Sequence, residues 1–229
     1  MQNQVRCGGG GAGDESQQAD KYRQERQAAH DLLRRLIRAG HDGAVTLHYR
    51  TWSRGNKEGD MLHQAINDLA GTPSAVSALV VGMDDDAWRW KPDDTSWSLL
   101  EIVHHLRDEE QEDFPLRIRL TLADPSQPWP PIDPENWVVG RGYNLTEPAD
   151  VLHDFVQMRR ENVAWLGSLD QPAWDNTYDH PLAGGLSARR LLNCWRAHDL
   201  LHLRQLLHRR WQLLEKDVEP GELDYAGRW

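Results

Sequence analysis

Three histidines in this chain have the type and spacing to hold a metal ion. His198 and His202 stand four residues apart in Ala197-His198-Asp199-Leu200-Leu201-His202, and His105 ends the much earlier run Glu101-Ile102-Val103-His104-His105. Residues i and i+4 share one face of an α-helix, so His198 and His202 project side by side. The stripe Leu191, Trp195, His198, His202, Leu206 places both imidazoles among apolar side chains. A histidine there is costly unless something partners it. A backbone carbonyl or a carboxylate could serve each one singly. The third histidine on a separate helix favours a shared ion. Three nitrogen ligands leave a coordination position for water or substrate. Imidazole suits Zn²⁺, Ni²⁺, Fe²⁺ or Co²⁺, and donor softness does not choose among them.

Carboxylates near His105 could assist. Asp108 and Glu109 follow it by three and four residues, on its side of the helix. Asp108 is the expected orienting partner of an imidazole, or the general base. Glu109 is expected at the solvated surface, and Asp199 in a structural or solvent-facing role. Cys194 precedes His198 by four residues and would be an attractive thiolate ligand, but a small buried core residue is the expected reading. His153, His180 and His208 have no partner at ligand spacing. Trp165, Trp195 and Trp211 read as core, and Trp129 and Trp137 as the rim of a pocket.

The elements that would carry these residues are helical. Ser98 and Glu101 form a capping-box pattern with Trp97 just ahead, so a helix starts there. It is expected to run to about Leu122 with a kink at Pro115. An earlier helix is expected from Met61 to about Val80, bent near Gly71-Thr72-Pro73. A third runs from about Thr146 to Leu169, with Pro148 in its first turn. A fourth runs from Ser187 through Trp211. Residues 124–146 hold five prolines and read as a long loop beside the site, of the kind that often carries function. No strand pattern stands out. Four long helices imply an all-α four-helix bundle, whose inward side chains form metal sites.

Domain organisation follows from where apolar periodicity begins. Residues 1–60 are an N-terminal extension, largely disordered with a short helix at 21–38, because they are too polar to bury a core. Residues 61–215 form the bundle, and 216–229 a tail. Residues 1–60 hold 10 Lys/Arg against 8 Asp/Glu, and residues 61–229 hold 16 against 28. The bundle is therefore acidic at −12, which disfavours nucleic acid and favours a divalent cation. Two cysteines suit a reducing cytoplasm. No run of 18 apolar residues exists, so no membrane span is expected.

Two segments resemble a known family. Trp97-Ser98-Leu99-Leu100-Glu101-Ile102-Val103-His104-His105-Leu106-Arg107-Asp108 is similar to the second-helix signature of the DinB/YfiT-like superfamily. Ala197-His198-Asp199-Leu200-Leu201-His202-Leu203-Arg204-Gln205 is similar to its fourth-helix signature. The resemblance covers about residues 61–215. It implies a four-helix bundle, often a homodimer, with a divalent metal on His105, His198 and His202. His104 departs from the pattern, which usually has a small residue there. The resemblance further implies a metal-dependent hydrolase, or a transferase acting on a small-molecule substrate with a low-molecular-weight thiol such as bacillithiol or mycothiol. A metal-stabilised module without catalysis is the alternative.

Overall fold

The structure, a computed structural model, describes residues 57–227; the expected N-terminal extension lies almost wholly outside them. Four long helical units pack together. They are α1 (Lys57–Val80), α3 (Leu99–Glu112) continued by α4 (Phe114–Ala123), α6 (Pro148–Ser168) and α7 (Ala188–Asp217). Short helices α2 (Asp85–Arg89) and α5 (Pro134–Gly140) and a 3-10 turn at Tyr143–Leu145 lie in the connections. The first helix begins at Lys57, one turn ahead of Met61.

Helix α3 sits at the centre. Eleven of its fourteen residues are buried, so it meets protein on nearly every side. Its start is the predicted capping box: Ser98 Oγ accepts from Glu101 N–H, and the Glu101 carboxylate accepts from Ser98 N–H. Helix α7 starts likewise, with Ser187 Oγ accepting from Arg190 N–H. One apolar cluster joins Ala65 and Leu69 of α1, Ile118 of α4, Leu166 of α6 and Leu191, Leu192 and Trp195 of α7.

Three expectations about the elements need correction. The helix expected to kink at Pro115 is broken instead, at Asp113 (φ −120°, ψ −101°). A proline ring would clash with the carbonyl four residues back, so a new helix starts at Phe114. Pro115 then occupies its first turn, where a missing N–H costs nothing. Helix α1, expected to bend near Pro73, is continuous from Lys57 to Val80. Pro73 cannot donate to the Leu69 carbonyl, and the guanidinium of Arg159 donates to that oxygen at 3.0 Å. Finally, a two-stranded antiparallel hairpin does exist, β1 (Thr177–His180) with β2 (Gly184–Ser187), pairing Tyr178 with Leu186. Each strand has only four residues and β2 opens on two glycines, a weak strand signal. Gly185 lets the strands approach closely there, since a Cβ would stand 3.0 Å from the Thr177 methyl and force it to shift.

A buried polar network ties the four units. Arg159 of α6 is 1% exposed. It holds Asp199 of α7 through two hydrogen bonds (2.5 and 2.8 Å) and Glu110 of α3 at 2.7 Å. Thr72 of α1 donates to Asp199 at 2.7 Å, and Trp195 Nε1 donates to Glu110 at 3.1 Å. Asp199 is thus structural and buried. No described helix is long and apolar enough to cross a membrane.

Candidate metal centre

Helix α3 delivers His105, and α7 delivers His198 and His202, to one point in the bundle. The Nε2 atoms of His105 and His198 lie 3.2 Å apart, and those of His198 and His202 lie 3.1 Å apart. All three residues place a ligand nitrogen within 4.8 Å of the others. Metal–nitrogen bonds of about 2.0–2.1 Å imply neighbouring nitrogens about 2.9–3.4 Å apart, for octahedral to tetrahedral angles. Both measured distances, 3.1 and 3.2 Å, fall in that window.

The outer nitrogens define the inner ones. His202 Nδ1 lies 2.8 Å from Gln205 Oε1. The amide oxygen can only accept, so Nδ1 carries the proton and Nε2 presents its lone pair inward. His105 Nδ1 and His198 Nδ1 are buried without a hydrogen-bond partner. The carboxylate of Glu109 lies 3.6 Å from His105 Nδ1. Burial, followed by the neighbouring His202, pushes His105 down to about 3. Burial and then the other two imidazoles push His198 down to about 2. Burial also lowers His202, against the raising influence of Gln205 and Asp199. At neutral pH all three rings are therefore uncharged lone-pair donors. A ring N–H turned inward could bond a neighbouring nitrogen but would leave Nδ1 lone pairs buried and unused, whereas a shared cation lets all three Nε2 atoms donate at once.

Aromatic rings wall the trio. Trp97, the residue before the α3 cap, lies 5.0 Å from the His105 ring and stacks parallel to His202 at 6.3 Å. Phe114, at the restart after the Asp113 break, lies 5.2 Å from His198. His198 and His202 keep partial exposure, so the point of convergence is not sealed.

The carboxylates are placed the other way round from expectation. Asp108 is fully buried but turned away from the trio. It accepts from Tyr143 Oη (2.5 Å) and Arg141 Nη1 (2.6 Å), and Arg107 Nη1 lies at 3.0 Å. Burial raises its pKa, but the partners His104 and Tyr143 and the charge of Arg107 outweigh that and hold it below the usual carboxylate range. Glu109, expected at the solvated surface, is 3% exposed and is the carboxylate facing His105. At 100° per residue, position i+4 returns to within 40° of His105, whereas i+3 falls 60° short on the other side. Burial, then Asp113, pushes Glu109 up to about 9. Burial raises Asp113 as well, against the Arg117 guanidinium at 2.9 Å.

His104 stacks on Tyr143 (4.0 Å, 6° between planes), one step round α3 from the trio. Cys194 is exposed, not a core residue. Trp129 stacks on Tyr178 of the hairpin at 4.0 Å, and Trp137 carries the Arg141 guanidinium at 3.8 Å. Trp195 is core, while Trp165 is only partly buried and holds Arg119 at 3.6 Å. A groove of about 460 Å³ lies between α1 and α7, lined by Asp68, Ala75, Arg196 and Leu200 among others; none of the trio lines it. Sequence reasoning missed Tyr143 and Arg141, which no periodicity marks, and gave Gln205 no role although it lies one helical turn from His202.

A helical bundle with three imidazoles converging between two of its helices has the architecture of a metal-binding bundle protein. The DinB superfamily pattern matches residues 68–206, and the chain belongs to that superfamily. A curated relative from Oceanobacillus iheyensis, named "Putative metal-dependent hydrolase", is 20% identical over 144 residues, covering 62% of this chain and 82% of that one. The solved structure of YfiT from Bacillus subtilis shares the fold, with a TM-score of 0.61 and 19% identity over 72% of this chain and 93% of that one. YfiT is described as a "probable metal-dependent hydrolase with an unusual four-helix bundle topology".

Proposed function

We propose that the chain is a metal-dependent hydrolase whose divalent ion is held by Nε2 of His105, His198 and His202. The observation that carries this reading is the convergence of three neutral imidazoles, with His198 Nε2 lying 3.2 Å from that of His105 and 3.1 Å from that of His202, whose tautomer Gln205 fixes. A divalent ion bound there would lower the pKa of a coordinated water toward about 7 and polarise a scissile carbonyl or phosphoryl group.

The surrounding residues have derivable tasks. Gln205 keeps the proton of His202 on Nδ1 and so keeps Nε2 free to bind. Glu109 stands 3.6 Å from His105 Nδ1, where its ionised form would favour an N–H on that nitrogen and so a free Nε2, and Asp113 and Arg117 behind it set how readily it gives up its own proton. Trp97 and Phe114 keep bulk water off two sides of the rings, which strengthens any charge interaction there. Asp108 acts at a distance. Through Tyr143 and Arg141 it pins the segment after α5 to α3.

Both relatives are described as a "putative" or "probable" metal-dependent hydrolase, which supports hydrolysis here. Metal analysis of protein made without a histidine tag tests the site. Wild type is expected to carry one divalent ion per chain, and His202→Ala to lose it while keeping its helical circular dichroism. A His198→Ala/His202→Ala variant that still held one ion per chain would overturn the assignment. Thiol transfer is distinguished by loading Co²⁺ and adding a small thiol. A new thiolate charge-transfer band would move the reading from hydrolysis to thiol transfer.

A further inference from the structure

Arg209 is a guanidinium in an unusual position. It is 5% exposed, and its Nε is buried without an acceptor. Its one hydrogen bond runs from Nη1 to the neutral Gln212 side chain at 2.6 Å. Arg107 and Arg159 also have buried Nε atoms without acceptors, but each has an acid partner, and the Nε of Arg117 lies 2.9 Å from Asp113. Arg209 has none among the described residues. The acids that act on it from further away are Asp93 and Glu101. Glu101 is already engaged by Lys91 Nζ at 3.1 Å and by Ser98 N–H.

The atoms left over are meaningful. With Nη1 engaged, Nε and Nη2 remain, and these two form one straight edge of the guanidinium. That edge matches the spacing of two oxygens on a carboxylate or a phosphate. A second cation lies close by: Lys216 Nζ stands 5.6 Å from the Trp90 ring, and the Arg209 guanidinium 5.9 Å from the same ring. Lys216 has no ion pair among the described residues either. The negative end of helix α7 accounts for a lysine in its last turn. It does not account for Arg209, two turns further in, where that field has faded. In a chain of net charge −10, two cations left without acids around one indole need a different explanation.

We propose that Arg209, with Lys216 beside it on Trp90, forms a binding site for an oxyanion group, a carboxylate or a phosphate, carried by a small molecule. Lys216 is exposed and Trp90 partly buried, so a ligand arriving along them would meet Nη2 first; Nε is covered, and the bidentate contact needs the side chains over it to give way. The site lies seven residues from His202 on the same side of α7, about 10 Å along the helix axis. It needs nothing from the imidazole trio.

The test is calorimetric titration of inorganic phosphate, and separately of acetate, into the full chain. It is done near pH 8, where the trio is uncharged, first after chelator dialysis and then after adding back Zn²⁺. One saturable oxyanion per chain is expected in both states. Arg209→Gln should weaken it by about tenfold or more, because the bidentate edge is gone, and Lys216→Gln by a smaller factor. In wild type, the Arg209 Nε–H resonance should shift with the same saturation curve, which decides the matter even if Arg209→Gln does not fold. The proposal is overturned if that resonance does not move, if Arg209→Gln binds as wild type does, or if binding appears only after metal is added. The last result would place the anion at the imidazoles; failure of the metal site itself would leave phosphate binding intact. Preference between phosphate and acetate identifies the anion.

Discussion

Replacing Glu109 by Gln should stabilise the metal-free protein, increasingly so as the pH rises. In the unfolded chain this carboxyl titrates near 4.5, whereas burial and the adjacent Asp113 push it up to about 9 in the fold. Between those values the folded state binds a proton that the unfolded state does not. The contribution is therefore fully present below pH 4.5 and is lost as the pH climbs toward 9, by about 1.4 kcal/mol per unit. At pH 7.5 the loss accumulated over three units is about 4 kcal/mol as an upper bound. Relaxation around the Glu109–Asp113–Arg117 group brings the expected gain from Glu109→Gln to roughly 2–4 kcal/mol. Glutamine keeps the shape and imitates the protonated acid, so packing should hardly change. Urea unfolding of both proteins with chelator, at several values from about pH 5 to pH 8, reads the difference at constant m-value. A difference that stays flat with pH, or a variant less stable than wild type near pH 8, would show Glu109 ionised in the fold and refute the reasoning.

Other outcomes follow from the same physics. His105 and His198 are held far below their ordinary 6.5, so the unfolded chain binds protons that the fold refuses. Metal-free protein in the Glu109→Gln background should lose stability as the pH falls from about 6.5 toward 3, and His105→Gln/His198→Gln should flatten that slope in thermal melts. Arg159→Met removes the cation between Glu110 and Asp199 and should cost about 3–5 kcal/mol in urea unfolding; a loss below about 1 kcal/mol would mean the network carries little. Tyr143→Phe withdraws a hydrogen bond from the fully buried Asp108 and should cost about 1–3 kcal/mol, with metal content unchanged.

The site was legible because helices encode geometry locally. The capping box at Ser98–Glu101 set where α3 begins, and the 3.6-residue repeat then put His198 and His202 on one face. What stayed hidden depends on contacts remote in sequence. Asp108 and Glu109 differ by one step of rotation, and only the position of Tyr143 and Arg141, more than thirty residues away, settles which of them faces the trio. The break at Asp113 is a local clash with two solutions, a kink or a fresh start. Cys194 lies one turn from His198, yet it turns outward because Trp195 takes the inward place. The β1–β2 hairpin is held by Tyr178 against Trp129 and by a glycine register, neither of which makes an alternating pattern. Residues 1–56 lie outside the description, so the expected boundary at residue 60 rests on composition.

The Arg159 network acts like the second scale of a vernier. Trp195 and Asp199 on α7 meet Glu110 and Arg159 within about a turn and a half of the points where His198 meets His105. A helix slipping by one residue would advance about 1.5 Å and rotate about 100°, misaligning both sets of marks at once. The imidazoles are therefore aligned by interactions that do not involve them. An arriving ion need not draw the helices together, so little of its binding energy is diverted into reshaping the bundle. The ranking among competing metals should then follow the coordination preferences of the ions themselves, as it would for a rigid chelator.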